Sequence, residues 1–288
     1  MQERKFSVLV IAHGRTGHLR SLLEGVGRST ELPHEVVLVY MDEPYPEPVA
    51  CCVPLRVLHV STGVGDAGLP LARARNTAAR AAEHPNLVFL DVDCIPSRTL
   101  FTALLDALQT GPVLAMAEPR YLRGPLEEAP AAGDASLLAA SVSHHARKHL
   151  ARNTNSSHHE MFWSLGFAIE AKVFAPLGGF DEGFAGYGAE DTDLAFRARV
   201  AGVPMRFVVE PLFHQHHAVH KPPLNHFDAI VLNARAFHAR WDTWPMEGWL
   251  GAFTSMGLLE WDPLATEISV RRVPTEAEIH SSQSNEPY

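Results

Sequence analysis

Asn86-Leu87-Val88-Phe89-Leu90-Asp91-Val92-Asp93 is an apolar, β-prone run that ends abruptly in two carboxylates spaced i, i+2. A short apolar run between a polar helix and a turn signal reads as a buried strand of an α/β sheet. Cys94, Ile95 and Pro96 end the run, and Ser97 is placed to cap a following helix. Two carboxylates therefore sit at the carboxyl end of a central strand, where open α/β sheets bind ligands. Carboxylates repel phosphates unless a hard cation lies between them, and Mg2+ or Mn2+ prefers such oxygen ligands. The same residues also read as a polar strand-to-helix turn in which an Asp is only a cap.

Upstream, Phe6 to Ala12 is a β-rich run followed by the loop His13-Gly14-Arg15-Thr16-Gly17. Leu19, Leu22, Leu23 and Val26 then recur at helical spacing. Glu35 to Met41 reads as a second strand ending at Asp42, and Arg56 to Val60 as a third. A glycine-rich turn, Gly63 to Gly68, leads into an Ala/Arg helix over Leu69 to Glu83. That turn follows the third strand and lacks the dinucleotide glycine spacing, which argues against a nicotinamide cofactor. Downstream come a helix over Ser97 to Gln109 and a strand over Val113 to Ala117. Alternation of this kind predicts a doubly wound, mostly parallel sheet.

Residues 118–135 are rich in Pro, Gly and Glu and read as a surface loop, and Ser136 to Arg152 reads as a helix. Phe162 to Ile169 and Met205 to Val209 read as strands, and a helix starts near Glu190. Two helical segments, Leu224 to Arg240 and Met246 to Leu259, close the pattern. After Asp262 the chain is polar and unpatterned, and Glu276 to Tyr288 is expected to lack order.

Composition narrows the function. The 24 basic and 33 acidic residues leave a formal charge of −9 with no basic block, which argues against a nucleic-acid partner. No window has the uninterrupted apolar length of a transmembrane segment, and Met1 to Lys5 leads straight into a strand without a signal peptide. Cys51, Cys52 and Cys94 have no metal spacing and suit a reducing, cytoplasmic setting.

A second acidic cluster is Gly188-Ala189-Glu190-Asp191-Thr192-Asp193. Acids in a first helical turn are also favoured by the helix dipole and by capping. Capping does not account for the aromatic and glycine-rich approach from Gly178 to Tyr187, which suits close passage of backbone past a ligand. A third cluster, His214, His216 and His217, follows a strand; it reads as a solvated loop or as a source of imidazole for a metal site built from oxygens. The motif HExxH of zinc enzymes is absent. Trp163, Phe184 and Tyr187 read either as core or as sugar-stacking rings, and Trp241, Trp244 and Trp249 as helix packing or as an acceptor border.

Taken in order, several motifs resemble those of family 2-type glycosyltransferases of the GT-A fold. They are the polar first loop, Asp42, Leu71-Ala72-Arg73-Ala74-Arg75-Asn76, Asp91-Val92-Asp93, Gly178-Gly179-Phe180-Asp181-Glu182, Gly188 to Asp193, and a late His. The run Gly186-Tyr187-Gly188-Ala189-Glu190-Asp191-Thr192-Asp193 is also similar to the C-terminal motif of β-1,4-galactosyltransferases. The resemblance spans roughly residues 6–220 and implies one domain over 1–262, with a nucleotide half over 1–117, an acceptor half over 118–262, a C-terminal helical extension, and a partly disordered tail over 263–288. It implies a metal-dependent, inverting transfer of a hexose from a nucleotide sugar, with UDP the expected nucleotide, to a hydroxyl on a saccharide or other acceptor.

The resemblance also implies roles. Ala12, His13 and Arg15 would border base and ribose, and Asp42 would accept from the base. Arg75 would reach the nucleotide, Asp91 would face the ribose or metal, and Val92 would border the nucleotide. Asp93, with His214 and His217, would hold Mn2+ or Mg2+. Asp191 would be the general base and Glu190 would touch a sugar. His13-Gly14 departs from the Tyr-Asn pair of many members, which leaves base selectivity open. Two other readings remain: a sugar-1-phosphate nucleotidyltransferase, for which the first loop is only a partial match, and a non-catalytic nucleotide-sugar-binding module.

Overall fold

Apolar runs with no polar face need cover on both sides, and the chain supplies it by alternating strand and helix. The computed structural model describes residues 4–44, 46–63, 68–125 and 133–287. Most of the glycine-rich turn after the third strand, residues 64–67, and residues 126–132 lie outside them. The first half runs β1 (Phe6–Ala12), α1 (Thr16–Gly27), β2 (Glu35–Met41), β3 (Leu55–Val60), α2 (Leu71–Ala81), β4 (Asn86–Asp91), β5 (Cys94–Pro96), α3 (Leu100–Leu108) and β6 (Leu114–Leu122). Then follow α4 (Asp134–Ala139), β7 (Ser141–Ser143), β8 (Asn155–Ser156), β9 (Gly166–Glu170), α5 (Ala171–Phe174), α6 (Glu190–Val200) and β10 (Met205–His214). The last part holds β11 (Val219–His220), α7 (Phe227–Trp241), α8 (Glu247–Ser255), β12 (Leu259–Glu260), β13 (Ser269–Val270), α9 (Glu276–Ser281) and β14 (Gln283–Ser284).

The main sheet has the order β3-β2-β1-β4-β9-β6-β10-β5, with β7 beside β6 and β8 beside β10. Along that path β9 and β5 run against their neighbours and the rest are parallel. This is the mixed, mostly parallel sheet that the alternation predicts. One face packs on α1 and α3 through Leu19, Leu22, Leu23, Phe101 and Leu104. The other packs on α2 and α6 through Ala74, Ala78, Leu194 and Ala198. The C-terminal helices build a separate cluster around Phe227, Ile230, Trp244, Phe253 and Trp261.

Four local expectations are corrected. Ser97 does not cap α3: the helix begins later, and the Ser97 hydroxyl is buried without a hydrogen-bond partner among the described residues. The reason is that Cys94–Pro96 is captured as a strand against β10. The strand predicted to end at Ala117 continues to Leu122, because a bulge between Phe207 and Pro211 re-aligns β10 and lets pairing resume. Residues 136–152 are not one helix: α4 stops at Ala139, and Ser141–Ser143 pairs with β6, where Arg120 binds Ser141 and Ser143. The tail is ordered as far as Pro287. Thr275 and Glu278 form a capping box, Glu278 also pairs with Arg272, and β14 pairs with β11.

Asp193 ties the acidic helix to the extension. It is fully buried and accepts from Arg197 Nε at 2.8 Å, Arg240 Nη1 at 2.7 Å and Trp241 Nε1 at 3.0 Å. Removing it strands three donors, two of them charged. Asp193→Ala should cost about 3 kcal/mol in denaturant unfolding. A change within experimental error would mean that solvent replaces the carboxylate without loss.

Candidate active site

The end of β4 and the end of β10 build the first centre. In the antiparallel register of β5 on β10, Cys94 lies opposite His214. The Gln215 amide also donates to the Asp93 carbonyl at 2.7 Å. These two constraints bring His214 Nε2 to 3.6 Å from Asp93 Oδ1 and His217 Nε2 to 3.3 Å from Asp93 Oδ2. Arg15 also pairs with Asp93 Oδ2. Burial alone would raise the Asp93 pKa, but His214, His217 and Arg15 outweigh it and hold the carboxyl far below the usual range. Burial pushes the His214 pKa down, against the pull of Asp93, which favours its neutral ring.

This set fits a divalent cation. The three side chains each offer one ligand atom, all within 4.8 Å of one another. The Nδ1 of His217 donates to the Ala218 carbonyl at 2.9 Å, which leaves Nε2 as the ring atom turned toward Asp93. That Nε2 is buried and has no hydrogen-bond partner among the described residues. A buried imidazole nitrogen against a carboxylate needs a proton or a cation between them, and a divalent ion fills that place. His216 is turned away, its Nε2 at 2.8 Å from the Asn285 carbonyl.

The second centre is the start of α6. Ala189, with φ of 72°, turns the chain into the helix without a side-chain cap. None of the acids occupies the N-cap position itself. Glu190 is buried; its Oε1 accepts from Arg75 Nη1 at 3.0 Å, and its Oε2 has no partner among the described residues. Asp191 accepts from the Thr192 amide at 2.7 Å and faces the Ser164 amide at 3.4 Å. Burial, reinforced by the Glu190 charge and opposed by Arg75, raises the Asp191 pKa to about 7.

Arg75 joins the two centres. Its Nη2 donates to Asp91 Oδ1 at 3.0 Å while Nη1 holds Glu190, and the residue is buried. Its guanidinium thus binds two carboxylates at once. Alternation along the strand end points the Val92 side chain into the core, which leaves its backbone to border a nucleotide. Ala12 is fully buried and presents only backbone. His13 is exposed beside the Met41 carbonyl at 2.7 Å. Asp42 has φ of 50°; hydrogen bonds from the Thr62 hydroxyl and amide lower its pKa.

Of the three candidate stacking rings, Phe184 is buried and Tyr187 stacks on His226 and Trp249. Trp163 immediately precedes Ser164, whose amide faces Asp191. It ends an aromatic row running from His214 to Tyr121 (5.1 Å), His144 (5.9 Å) and Trp163 (4.7 Å, centroid to centroid). Arg147, fully buried, lies 5.0 Å from the Trp163 ring. Tyr121, His144 and His18, whose ring lies 6.2 Å from His217, escaped the sequence reading because none of them belongs to a quoted motif. Trp241, Trp244 and Trp249 pack within the structure: the first binds Asp193, the second donates to the Ala265 carbonyl at 2.8 Å, and the third stacks on Tyr187.

A mostly parallel sheet with acidic groups at its strand ends and a second acidic centre on a glycine-rich loop is the architecture of the GT-A glycosyltransferases. The model for "Glycosyltransferase like family 2" matches residues 36–227, and the chain belongs to that family. Validoxylamine A glucosyltransferase of Streptomyces hygroscopicus subsp. limoneus is 29% identical over 226 residues, covering 69% of this chain and 49% of that protein. The chain thus spans about half the length of the curated relatives it matches. Among solved structures, S. aureus TarS 1-349 superposes with a TM-score of 0.55 at 15% identity, over 87% of this chain and 72% of that one. GalNAc-T7 with UDP, GalNAc and Mn2+ gives 0.53 at 17% identity, over 73% and 43%. At these identities the two structures establish the fold alone. No helix among the described residues is long and apolar enough to cross a membrane.

The Asp191 shift has a testable sign. Its folded pKa of about 7 lies above its ordinary 3.8, so the native state holds the extra proton between those values. Stability supplied by that proton is present at low pH and is lost as pH rises through the window. In metal-free protein, the melting temperature of Asp191→Asn relative to wild type should therefore increase from pH 4 to pH 8. A constant difference would mean that Asp191 ionises as an ordinary carboxyl.

Proposed function

We propose that the protein is a metal-dependent, inverting glycosyltransferase that moves a hexose from a nucleotide sugar, with UDP the favoured nucleotide, to a hydroxyl acceptor. The observation that carries this reading is the single buried guanidinium of Arg75 bound to both Asp91 and Glu190. It ties the strand end that leads to Asp93 to the helix start that carries Asp191, which supports a two-substrate transfer between them. Family membership and the glucosyltransferase named among the relatives support transfer over nucleotidyl transfer. The GT-A fold carries UDP, GalNAc and Mn2+ together in GalNAc-T7.

In this reading Asp93, His214 and His217 hold Mn2+ or Mg2+, which supplies Lewis-acid neutralisation of the diphosphate. Arg15, on a loop beside Asp93, adds a cation to the same leaving group. His13 and Asp42 border the base from the ends of β1 and β2. On the acceptor side, Trp163 offers a face for a sugar ring and the unpartnered Oε2 of Glu190 accepts from a sugar hydroxyl. Asp191 takes the proton of the attacking hydroxyl as its oxygen bonds to the anomeric carbon. The bond from that carbon to the diphosphate oxygen breaks, and the electron pair leaves with the nucleotide. A single displacement of this kind inverts the centre. The cysteine usage favours the cytosol as the compartment.

Calorimetry of UDP should give clear binding with Mn2+ and little with chelator, and Asp93→Ala should match the chelator while keeping its fold. Equal binding with and without metal would remove the bridging cation from the reading. Asp191→Asn should keep UDP affinity in Mn2+ but lower kcat by about 100-fold or more, the usual scale for a positioned base. NMR of the product anomer decides independently, since retention is incompatible with Asp191 as the base of a single displacement. Metal and nucleotide binding without any donor turnover would favour the binding-module alternative.

A further inference from the structure

The loop that delivers Asp191 is held by a helix that follows it in the chain, α7. Residues 185–188 turn through Gly186 and Gly188, with φ of 73° and 96°, before Ala189 enters α6 in the left-handed region. Such a turn points successive carbonyls inward, and buried carbonyls need donors. One side chain supplies them. Asn233, midway along α7, is 1% exposed, and its Nδ2 lies 3.0 Å from the Ala185 carbonyl, 3.3 Å from that of Tyr187 and 2.9 Å from that of Gly188. Its Oδ1 has no partner among the described residues, so the amide is oriented by its N–H bonds alone. Met246 fills the space beside Gly188, where a Cβ would lie 2.6 Å from its Sδ. Asn233 lies beyond residues 36–227, the part of the chain that the family model matches.

We propose that Asn233 is a positioning residue for the transfer reaction. By gathering three carbonyls of the 185–188 turn, it fixes where the first turn of α6 begins and so where Asp191 meets the acceptor. The inference rests on the reading of Asp191 as the base. Asn233 touches neither the metal centre nor the nucleotide side, so its loss should separate catalysis from donor binding. A purely structural residue would lower stability without that split.

Asn233→Ala should lower kcat by about 10- to 100-fold, the scale of a misplaced reacting group, with the affinity for UDP in Mn2+ unchanged within about twofold. Asn233→Ser keeps one donor and should fall between the two. Hydrogen exchange followed by mass spectrometry should rise over 183–192 and not over 205–217. In an Asp191→Asn background, Asn233→Ala should lower kcat little further, because both changes act on one step. Unchanged kcat, exchange rising evenly along the chain, or equal losses in the Ser and Ala variants would overturn the proposal. Asp191→Asn alone reads the base assignment: if it keeps full kcat, that assignment fails, and the exchange pattern over 183–192 then judges the Asn233 anchor by itself. If the Ala variant does not fold, the Ser variant carries the same kcat, UDP and exchange measurements.

Discussion

A buried guanidinium between two carboxylates is the interaction on which the site depends. Burial alone would lower the Arg75 pKa, but Asp91 and Glu190 outweigh that effect and raise it. The three groups are mutually dependent, since any one left alone in this environment would carry an uncompensated buried charge. The consequence is geometric. Asp91 ends a central strand and Glu190 opens a helix 115 residues further from Arg75 along the chain. One planar fork with hydrogen bonds to both fixes the strand end relative to the helix start. Asp93 and Asp191, each next to one of the clamped acids, inherit that spacing.

Around this clamp the chain places functional groups by strand register. A single residue separates Asp91 from Asp93, yet their partners differ completely. Asp91 faces Arg75, whereas Asp93 follows the turn into β5 and meets the imidazoles delivered by β10. A register shift of one residue in β5 against β10 would carry Cys94 away from His214 and dissolve the set. The bulge in β10 has the same importance, because the strand reaches His214 only by re-aligning on β6 after Pro211.

The C-terminal part supports both centres. Asp193 and Asn233 tie α6 and its loop to α7, and Tyr187 stacks on His226 and Trp249. On the metal side, the Asn285 carbonyl meets His216, and β14 pairs with β11 just beyond His217. Residues from outside the family-matched segment thus brace each loop that carries a candidate catalytic or metal-binding side chain.

The sequence by itself determined the strands and helices of the sheet, the acidic strand end, the acidic helix start and the cluster of histidines. These are short-range matters: alternation, helical spacing and turn residues are set by neighbours a few positions apart. It fell short where the outcome depended on distant partners. Polarity made Ser136 to Arg152 look helical and Glu276 to Tyr288 look unordered, but pairing with β6 and β11 decided otherwise. It did not show that Arg75 joins Asp91 to Glu190 or that the Val92 side chain turns into the core. It separated His214, His216 and His217 by name only; the pairing of β5 with β10 and the tail at Asn285 chose which rings face Asp93. Asn233 carried no signal at all in the chain, because a lone amide in a helix acquires meaning only from the carbonyls that tertiary folding brings to it.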